Sequence, residues 1–286
     1  MRLTTIRITR DRTAAARIDK KHLTLLPHPT VGALIASASD WTRHAATHRG
    51  ERLPLHAATT TEPLLTPRRI IRVGPNYPTR IKELNQQRPA VPSLSITRPY
   101  TTAGAQATVP LPPPSDRRMD WGVELGVVVS GHAHCSPTTT ALRHVAGYVV
   151  VNHLHAIDQS AEPSGSRSTP RTGLARSVLL VGPTLVTPDT VPTGGRGLIL
   201  TATLGGRLVQ KASTSELHFD VATLIAHAST LTVLKPGDLI TTGTPGGTLD
   251  RPLEPGRNLH VAIKGLGDID TDFTGDCTSL GPVGNV

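Results

Sequence analysis

The chain has 286 residues, of which 37% are hydrophobic and 18% charged, as expected for a globular protein with one large and one small domain. Only 2% of the residues are aromatic and the sequence contains no nucleic-acid-binding motif, so we expect no nucleic-acid partner. The net charge of +9 instead favours an anionic small-molecule substrate. No apolar run approaches the roughly 20 residues that span a bilayer, which predicts a cytoplasmic protein without a membrane partner.

The first 64 residues are predicted to form a small N-terminal domain. Residues 3–8 alternate between apolar and polar side chains as a strand does, and residues 30–48 have apolar side chains at helical spacing. Residues 62–67 form a connector bounded by two prolines. We therefore predict an N-terminal domain over residues 1–64 and a main domain over residues 65–286.

The main domain consists mostly of short β-branched runs, which are typical of strands. One helix is predicted over residues 214–230, with Ser213 or Thr214 as its cap and Glu216 in its first turn. Residues 161–175 are polar and rich in serine, glycine and proline, which indicates a mobile loop or lid. These patterns predict a mainly β (α+β) fold. The predicted strands are residues 69–74, 123–129, 146–152, 179–181, 198–203 and 259–263.

Five segments of the main domain carry a family resemblance. Residues 234–245 read Leu-Lys-Pro-Gly-Asp-Leu-Ile-Thr-Thr-Gly-Thr-Pro, and residues 120–129 read Asp-Trp-Gly-Val-Glu-Leu-Gly-Val-Val-Val. Together with residues 69–77, 147–158 and 205–215, they resemble segments of the fumarylacetoacetate hydrolase family in the same order. The resemblance implies a mixed β-roll behind a small N-terminal domain, usually in a homodimer. It also implies chemistry on 1,3-dicarbonyl or 2-oxo acids, in which a divalent cation stabilises an enolate.

The resemblance places the family's three metal-binding carboxylates at positions where this chain has Gly122, Glu124 and His153. Mg²⁺ prefers oxygen ligands, so one glutamate and one imidazole are a poor set for it. We therefore expect no metal cofactor. If a metal does bind, its ligands are predicted to be Glu124 and His153, with Zn²⁺ and His155 as a softer alternative. Of the two histidines, we expect only His153 to face the pocket.

The resemblance also implies the acid–base and substrate-binding positions. The family's catalytic histidine falls on Arg80, which stays protonated and cannot act as a general base, whereas its glutamate partner is retained as Glu83. We predict Glu124, His153 and Glu83 as catalytic residues. The alternatives are that Glu124 only pairs with an arginine and that His153 is a core histidine. The predicted substrate-binding residues are Tyr77, Arg80, Arg98, Gln159 and Thr244, with Arg80 or Arg98 at the rim of the cavity.

Three functions remain open. The leading hypothesis is a family member repurposed for metal-independent chemistry, as a cyclase, isomerase or lyase, on a 1,3-dicarbonyl or 2-oxo acid-like metabolite. Arginines would then stabilise an enol, and Glu124 or His153 would move a proton. The alternatives are a metal-dependent hydrolase or decarboxylase of C–C bonds and a non-catalytic binding or scaffold protein. The expected partners are a small-molecule substrate and a second copy of the chain.

Overall fold

The structure, a computed structural model, describes residues 1–57, 67, 69–97, 101–111, 117–158 and 177–275. The predicted domain boundary after residue 64 and the predicted loop at 161–175 lie outside these residues. Within the described ranges, the five α-helices are α1 Val31–Ser37, α2 Trp41–Thr47, α3 Pro78–Glu83, α4 Thr138–Ala141 and α5 Val221–Leu231. The eighteen strands of the same ranges are β1 Arg2–Thr9, β2 Arg12–Asp19, β3 His22–Leu25, β4 Arg52–Pro54, β5 Ile70–Val73, β6 Leu94–Thr97, β7 Thr101–Ala103, β8 Gln106–Pro110, β9 Arg117–Asp120, β10 Val123–Val129, β11 Val145–Asp158, β12 Ser177–Val181, β13 Leu185–Val186, β14 Ile199–Leu204, β15 Arg207–Ser213, β16 Leu239–Thr241, β17 Asn258–Ile263 and β18 Gly267–Thr274.

Two sheets organise the described residues. The larger sheet has thirteen strands, ten of which follow the order β4-β3-β2-β1-β13-β11-β10-β16-β5-β6, while β12, β7 and β9 attach through β11 and β12. The smaller sheet has the order β15-β14-β17-β18-β8. Because β1 pairs with β13, the N-terminal strands continue the large sheet. Strand content exceeds helix content, so the predicted mainly β fold is confirmed.

The large sheet carries an apolar layer on each face. One face packs against the smaller sheet and α5, with Val123 and Val150 in the contact. The other face packs against α1 and α2, with Val149 and Val151 in the contact. Side chains alternate between the two faces along a strand, so β10 and β11 supply apolar residues to both layers. Glu124 is the exception in β10, since it is a carboxylic acid in a strand whose seven residues are all buried.

The strands predicted for the main domain are present, and β11 is longer than predicted. It pairs with β10 through Asn152 and then with β9 from His155 to Asp158. On its other edge it pairs with β12 and β13. This long central strand brings residues of β9, β10 and β12 to one place in the sheet.

The helix predicted over residues 30–48 is two helices. Thr30 caps the first, because its hydroxyl accepts a hydrogen bond from the Ala33 N–H at 3.0 Å. Ala38 is then extended (φ −162°, ψ 158°) and separates α1 from α2. Serine and aspartate in this short connection favour caps over helix interiors, which explains the break. Among the described residues, no helix is long and apolar enough to cross a bilayer.

The helix predicted over residues 214–230 starts later than predicted. Ser213 and Glu216 form a capping box around a single 3₁₀ turn, and α5 begins only at Val221. The segment between them is held away from helical geometry by Asn76, whose side-chain oxygen accepts from the Phe219 N–H at 2.8 Å. A tertiary hydrogen bond therefore overrides the local helical spacing.

Candidate functional site

Glu124 and His153 lie on neighbouring strands and on the same face of the large sheet. Glu124 is opposite Val151 in the antiparallel β10–β11 pair, and side chains two residues apart along a strand share a face. His153 is therefore the diagonal neighbour of Glu124, for which the usual separation is about 7–8 Å. Both side chains are buried, with exposed fractions of 8% and 4%.

His155 belongs to the same group of side chains. The ring centroids of His153 and His155 are 5.3 Å apart. Our expectation that only one of them faces the pocket is therefore wrong, because residues two apart on a strand point to the same side. His155 also pairs across the strands with Asp120, and its Nε2 lies 3.6 Å from Asp120 Oδ2.

The Glu124 carboxylate is held by uncharged donors. Its Oε2 accepts a hydrogen bond from the Gly243 N–H at 2.7 Å, and the Thr241 side chain is a second hydrogen-bond partner. Burial raises the pKa of Glu124 above its ordinary value, although the Arg72 guanidinium and the two hydrogen bonds oppose that rise. Glu124 is thus a buried acid whose proton affinity is set by its surroundings.

The two histidines are neutral at physiological pH. Burial, followed by repulsion from Arg72, lowers the pKa of His153 well below its ordinary 6.5. The same two causes lower the pKa of His155 to about 4, and Asp120 opposes them only partly. Both imidazoles can therefore donate or accept a hydrogen bond, but they add no positive charge to the site.

Arg80 lies at the centre of a buried ion-pair cluster. Its guanidinium donates to Glu83 Oε2 at 2.7 Å, to Asp120 Oδ2 at 2.6 Å and to Thr248 Oγ1 at 3.0 Å. Only 5% of the residue is exposed. The structure therefore does not place Arg80 at the rim of a cavity, because two carboxylates already surround its charge. Arg98, the other arginine predicted for the rim, lies outside the described residues.

Glu83 connects α3 to the loop that carries Thr244. Its Oε1 accepts hydrogen bonds from the backbone N–H groups of Gly247 at 2.8 Å and Leu249 at 3.2 Å. Burial alone would raise the pKa of Glu83, but the hydrogen bonds from Arg80 and from these two amides lower it overall. Glu83 is therefore an ionised carboxylate that holds the loop in place.

Thr244 fills the space beside Gly122. A Cβ atom at position 122 would lie 2.2 Å from Thr244 Oγ1, and Gly122 has a φ of +156°, a conformation that disfavours any other residue. The Thr244 hydroxyl also accepts a hydrogen bond from Gln210 Nε2 at 3.1 Å. The position between Asp120 and Glu124 on this face is thus closed to a side chain.

Tyr77 is fully buried near Glu124. Its hydroxyl has no hydrogen-bond partner among the described residues. Burial is the largest cause of its raised pKa, and the nearby carboxylate of Glu124 adds to the effect. The phenol is therefore neutral and has a hydrogen bond left to donate.

Comparison with known proteins identifies the family. Residues 69–274 match the family described as fumarylacetoacetate (FAA) hydrolase C-terminal, which is well over half of the chain. The chain belongs to the fumarylacetoacetate hydrolase family. The family assignment and the fold predicted from the sequence are confirmed.

Relatives within the fumarylacetoacetate hydrolase family differ in their reactions. The human mitochondrial oxaloacetate tautomerase FAHD2A is 32% identical over 223 residues, which are 76% of this chain and 70% of the human protein. A 5-carboxymethyl-2-hydroxymuconate delta-isomerase from Mycobacterium smegmatis has a TM-score of 0.72 at 23% identity, covering 96% of this chain and 98% of its own. A maleylpyruvate hydrolase from Sphingobium sp. SYK-6, solved with manganese (II) ion and pyruvate, has a TM-score of 0.73 at 22% identity, covering 96% and 99%. The two structures support the fold alone.

Mg²⁺, a cation that the family resemblance implies, does not suit the three family positions of this chain. At the three family positions, Gly122 offers no ligand, His153 offers nitrogen and only Glu124 offers the oxygen that Mg²⁺ prefers. Among the described residues, the group of side chains that brings three potential ligand atoms within 4.8 Å of one another lies elsewhere, on the smaller sheet. That group is His260, Asp268 and Asp270.

The structure thus brings together Glu124, His153, Glu83, Arg80 and Thr244, with Tyr77 beside them, whereas Arg98 and Gln159 lie outside the described residues. Sequence reasoning missed three members of this site: Arg72, Asp120 and Thr248. Of these, Arg72 left a signal, since it is a charged residue within the apolar strand Ile70–Val73. Asp120 joins the site through its contacts with Arg80, His155 and Thr248, and Thr248 joins it through Arg80 and Asp120.

Proposed function

We propose that this protein catalyses metal-independent proton transfer, as an isomerase or tautomerase, on a 1,3-dicarbonyl or 2-oxo acid. The observation that carries the proposal is the closed position at Gly122. With Thr244 Oγ1 only 2.2 Å from any Cβ there, the first metal carboxylate of the family has neither a side chain nor room for one.

The electrostatics of the remaining ligands support the same proposal. A cation at Glu124 would sit near the Arg72 guanidinium, which acts on Glu124, His153 and His155 alike. Like charges at short range in a buried site repel strongly, so Arg72 disfavours a second cation. The chain's own residues are then left to perform the chemistry.

Glu124 has the properties of the group that moves the proton. A general acid or base works best when its pKa is near the working pH, and burial shifts the pKa of this carboxyl in that direction. In the proposed step, the ionised carboxylate takes a proton from the carbon next to the substrate carbonyl. The C–H electron pair becomes a C=C bond, and the carbonyl electron pair moves to oxygen. Returning the proton to that oxygen gives the enol, without oxidant or water.

His153 is proposed to orient the substrate as a neutral imidazole. It is buried on the face of Glu124, and its low pKa keeps it uncharged at neutral pH. A neutral imidazole can donate a hydrogen bond to a developing enolate oxygen, and such donors in a buried site stabilise the negative charge of the transition state.

Keto–enol interconversion of oxaloacetate, the reaction named for the human relative, provides the first assay. It is measured with protein that has been treated with EDTA and dialysed, against the uncatalysed rate. Glu124→Gln removes the proton acceptor and His153→Ala removes the imidazole. Each change is expected to lower turnover by about 10²–10⁴-fold, the usual effect of losing a positioned acid or base.

Matched controls use residues of the same type on the exposed surface. Glu254→Gln and His134→Ala change an exposed glutamate and an exposed histidine and are expected to leave turnover unchanged. Full activity of His153→Ala or Glu124→Gln would contradict the proposal. Activity that is lost with EDTA and restored by Mg²⁺ would favour a metal-dependent hydrolase or decarboxylase. No turnover of any 2-oxo or 1,3-dicarbonyl acid would favour a binding protein.

A further inference from the structure

Arg72 lies at the middle of the site, although the reaction proposed above gives it no part. It is on β5, where it pairs with Thr241 of the parallel strand β16, and Thr241 pairs in turn with Gly126 of β10. Residues paired across a sheet share a face, so Arg72 projects on the same side as Glu124. Thr241 and Arg72 both lower the pKa of Glu124, in agreement with side chains of these strands that lie close together.

Every carboxylate of the site already has its own hydrogen-bond donors. Glu83 is held by Arg80 and two backbone amides, and Asp120 by Arg80 and the Trp121 N–H. Glu124 is held by the Gly243 N–H and Thr241. None of these three acids accepts a hydrogen bond from Arg72.

Arg72 itself is half-buried, and no described residue accepts a hydrogen bond or forms a salt bridge with its guanidinium. Its charge attracts the Glu124 carboxylate, but its N–H groups have no acceptor among the described residues and are left to donate to a bound ligand. The lowered pKa values of His153 and His155 keep these imidazoles neutral, so among the described residues Arg72 is the cation that acts on Glu124. A guanidinium in this position offers a planar pair of donors that matches a carboxylate or an enolate.

We propose that Arg72 is the built-in cation of this site and that it binds the carboxylate and adjacent oxygen of a planar 2-oxo acid anion. The guanidinium then supplies from the protein the positive charge that the resemblance assigns to a metal ion. The substrate class rests on the proposed function, whereas the binding of an anion by Arg72 is tested without turnover.

The probe is oxalate, a planar dianion with the shape of a 2-oxo acid enolate. Its binding to EDTA-treated, dialysed wild-type protein is measured by isothermal titration calorimetry, together with thermal unfolding. Wild type is expected to bind oxalate without added metal. Arg72→Met is expected to raise the dissociation constant about 10- to 100-fold, the loss that follows from removing charge-assisted hydrogen bonds.

Thermal unfolding separates a binding role from a structural one. Because Arg72 has no acceptor among the described residues, Arg72→Met is expected to unfold at the same temperature as wild type or higher. Arg72→Lys keeps the charge but not the planar pair of donors, so its oxalate affinity is expected between those of wild type and Arg72→Met. Arg207→Met removes an exposed charge from β15 and is the control for the change in net charge.

Three results would overturn the inference: no oxalate binding by metal-free wild type, unchanged binding by Arg72→Met, or a loss of thermal stability in Arg72→Met that accompanies weaker binding. The proposed function fails separately, through the turnover of Glu124→Gln and His153→Ala. If oxalate binding depends on Arg72 while those variants keep full activity, Arg72 is an anion-binding residue and the assignment of the proton transfer is wrong.

Discussion

Replacing Arg80 by leucine tests whether this residue holds the site together or is free to bind substrate. Arg80 is 5% exposed and makes three hydrogen bonds, to Glu83, Asp120 and Thr248. Leucine fills part of the space but leaves two half-buried carboxylates without their shared counter-charge.

The expected loss follows from what each carboxylate retains. Breaking a buried ion pair from one side typically costs 3–5 kcal/mol, about the range expected here. Glu83 keeps its two backbone amides and Asp120 keeps the Trp121 N–H, so neither carboxylate is left without donors. We therefore expect the lower end, about 3 kcal/mol, in the free energy of unfolding at pH 7.

The assay is equilibrium unfolding in urea of wild type, Arg80→Leu and the double variant Arg80→Leu/Asp120→Asn. The second substitution removes one unpaired charge and is expected to recover part of the loss. Arg257→Leu is the control, because Arg257 pairs with Glu254 in the same i, i+3 spacing but is half-exposed, and it should cost at most about 1 kcal/mol. A loss below about 1 kcal/mol in Arg80→Leu, within the range of surface pairs, would refute the ion-pair interpretation.

Two further predictions follow from the described contacts and a third from the family resemblance. The folded-state pKa of Glu83 is lowered, so its carboxylate stabilises the fold at neutral pH. In urea titrations, the difference in the free energy of unfolding between wild type and Glu83→Gln should be fully present at pH 7 and should shrink as the pH falls below the ordinary pKa of 4.5. Gly122→Ala should lose about 1–3 kcal/mol in the same assay, because its Cβ overlaps Thr244, and Thr244→Gly should recover part of it. Light scattering should give the mass of a homodimer, as the family resemblance implies, and a monomer would contradict it.

The strands could be predicted from the sequence because their signal is local. β10 contains no polar residue from Leu125 to Val129, and this run lies within the predicted strand. The late start of α5 at Val221 was not predicted, because the Asn76 side chain that accepts a hydrogen bond from the Phe219 N–H lies 143 residues away along the chain. Local spacing therefore gives element type, whereas tertiary hydrogen bonds set some of the ends.

The site was only partly predictable for the same reason. Glu124, His153 and Glu83 could be proposed because they occupy family positions, yet nothing in the sequence shows that Arg80 reaches Asp120, 40 residues away, and is thereby buried. The role of Arg72 depends on the pairing of β5 with β16, which one sequence does not reveal. Which charged side chains lie close to one another is decided only when distant segments come together in the folded protein.

Metal analysis combined with a tautomerase assay determines whether this protein works without the divalent metal of the fumarylacetoacetate hydrolase family. Protein purified without chelator is analysed for bound metal and assayed for oxaloacetate tautomerisation before and after EDTA. The His260→Ala variant is analysed in parallel, because a metal held by His260, Asp268 and Asp270 on the smaller sheet is lost from that variant without a change in activity. If the protein needs no metal, its activity is the same before and after EDTA. One metal per chain that persists in His260→Ala, and whose removal abolishes turnover, would contradict it.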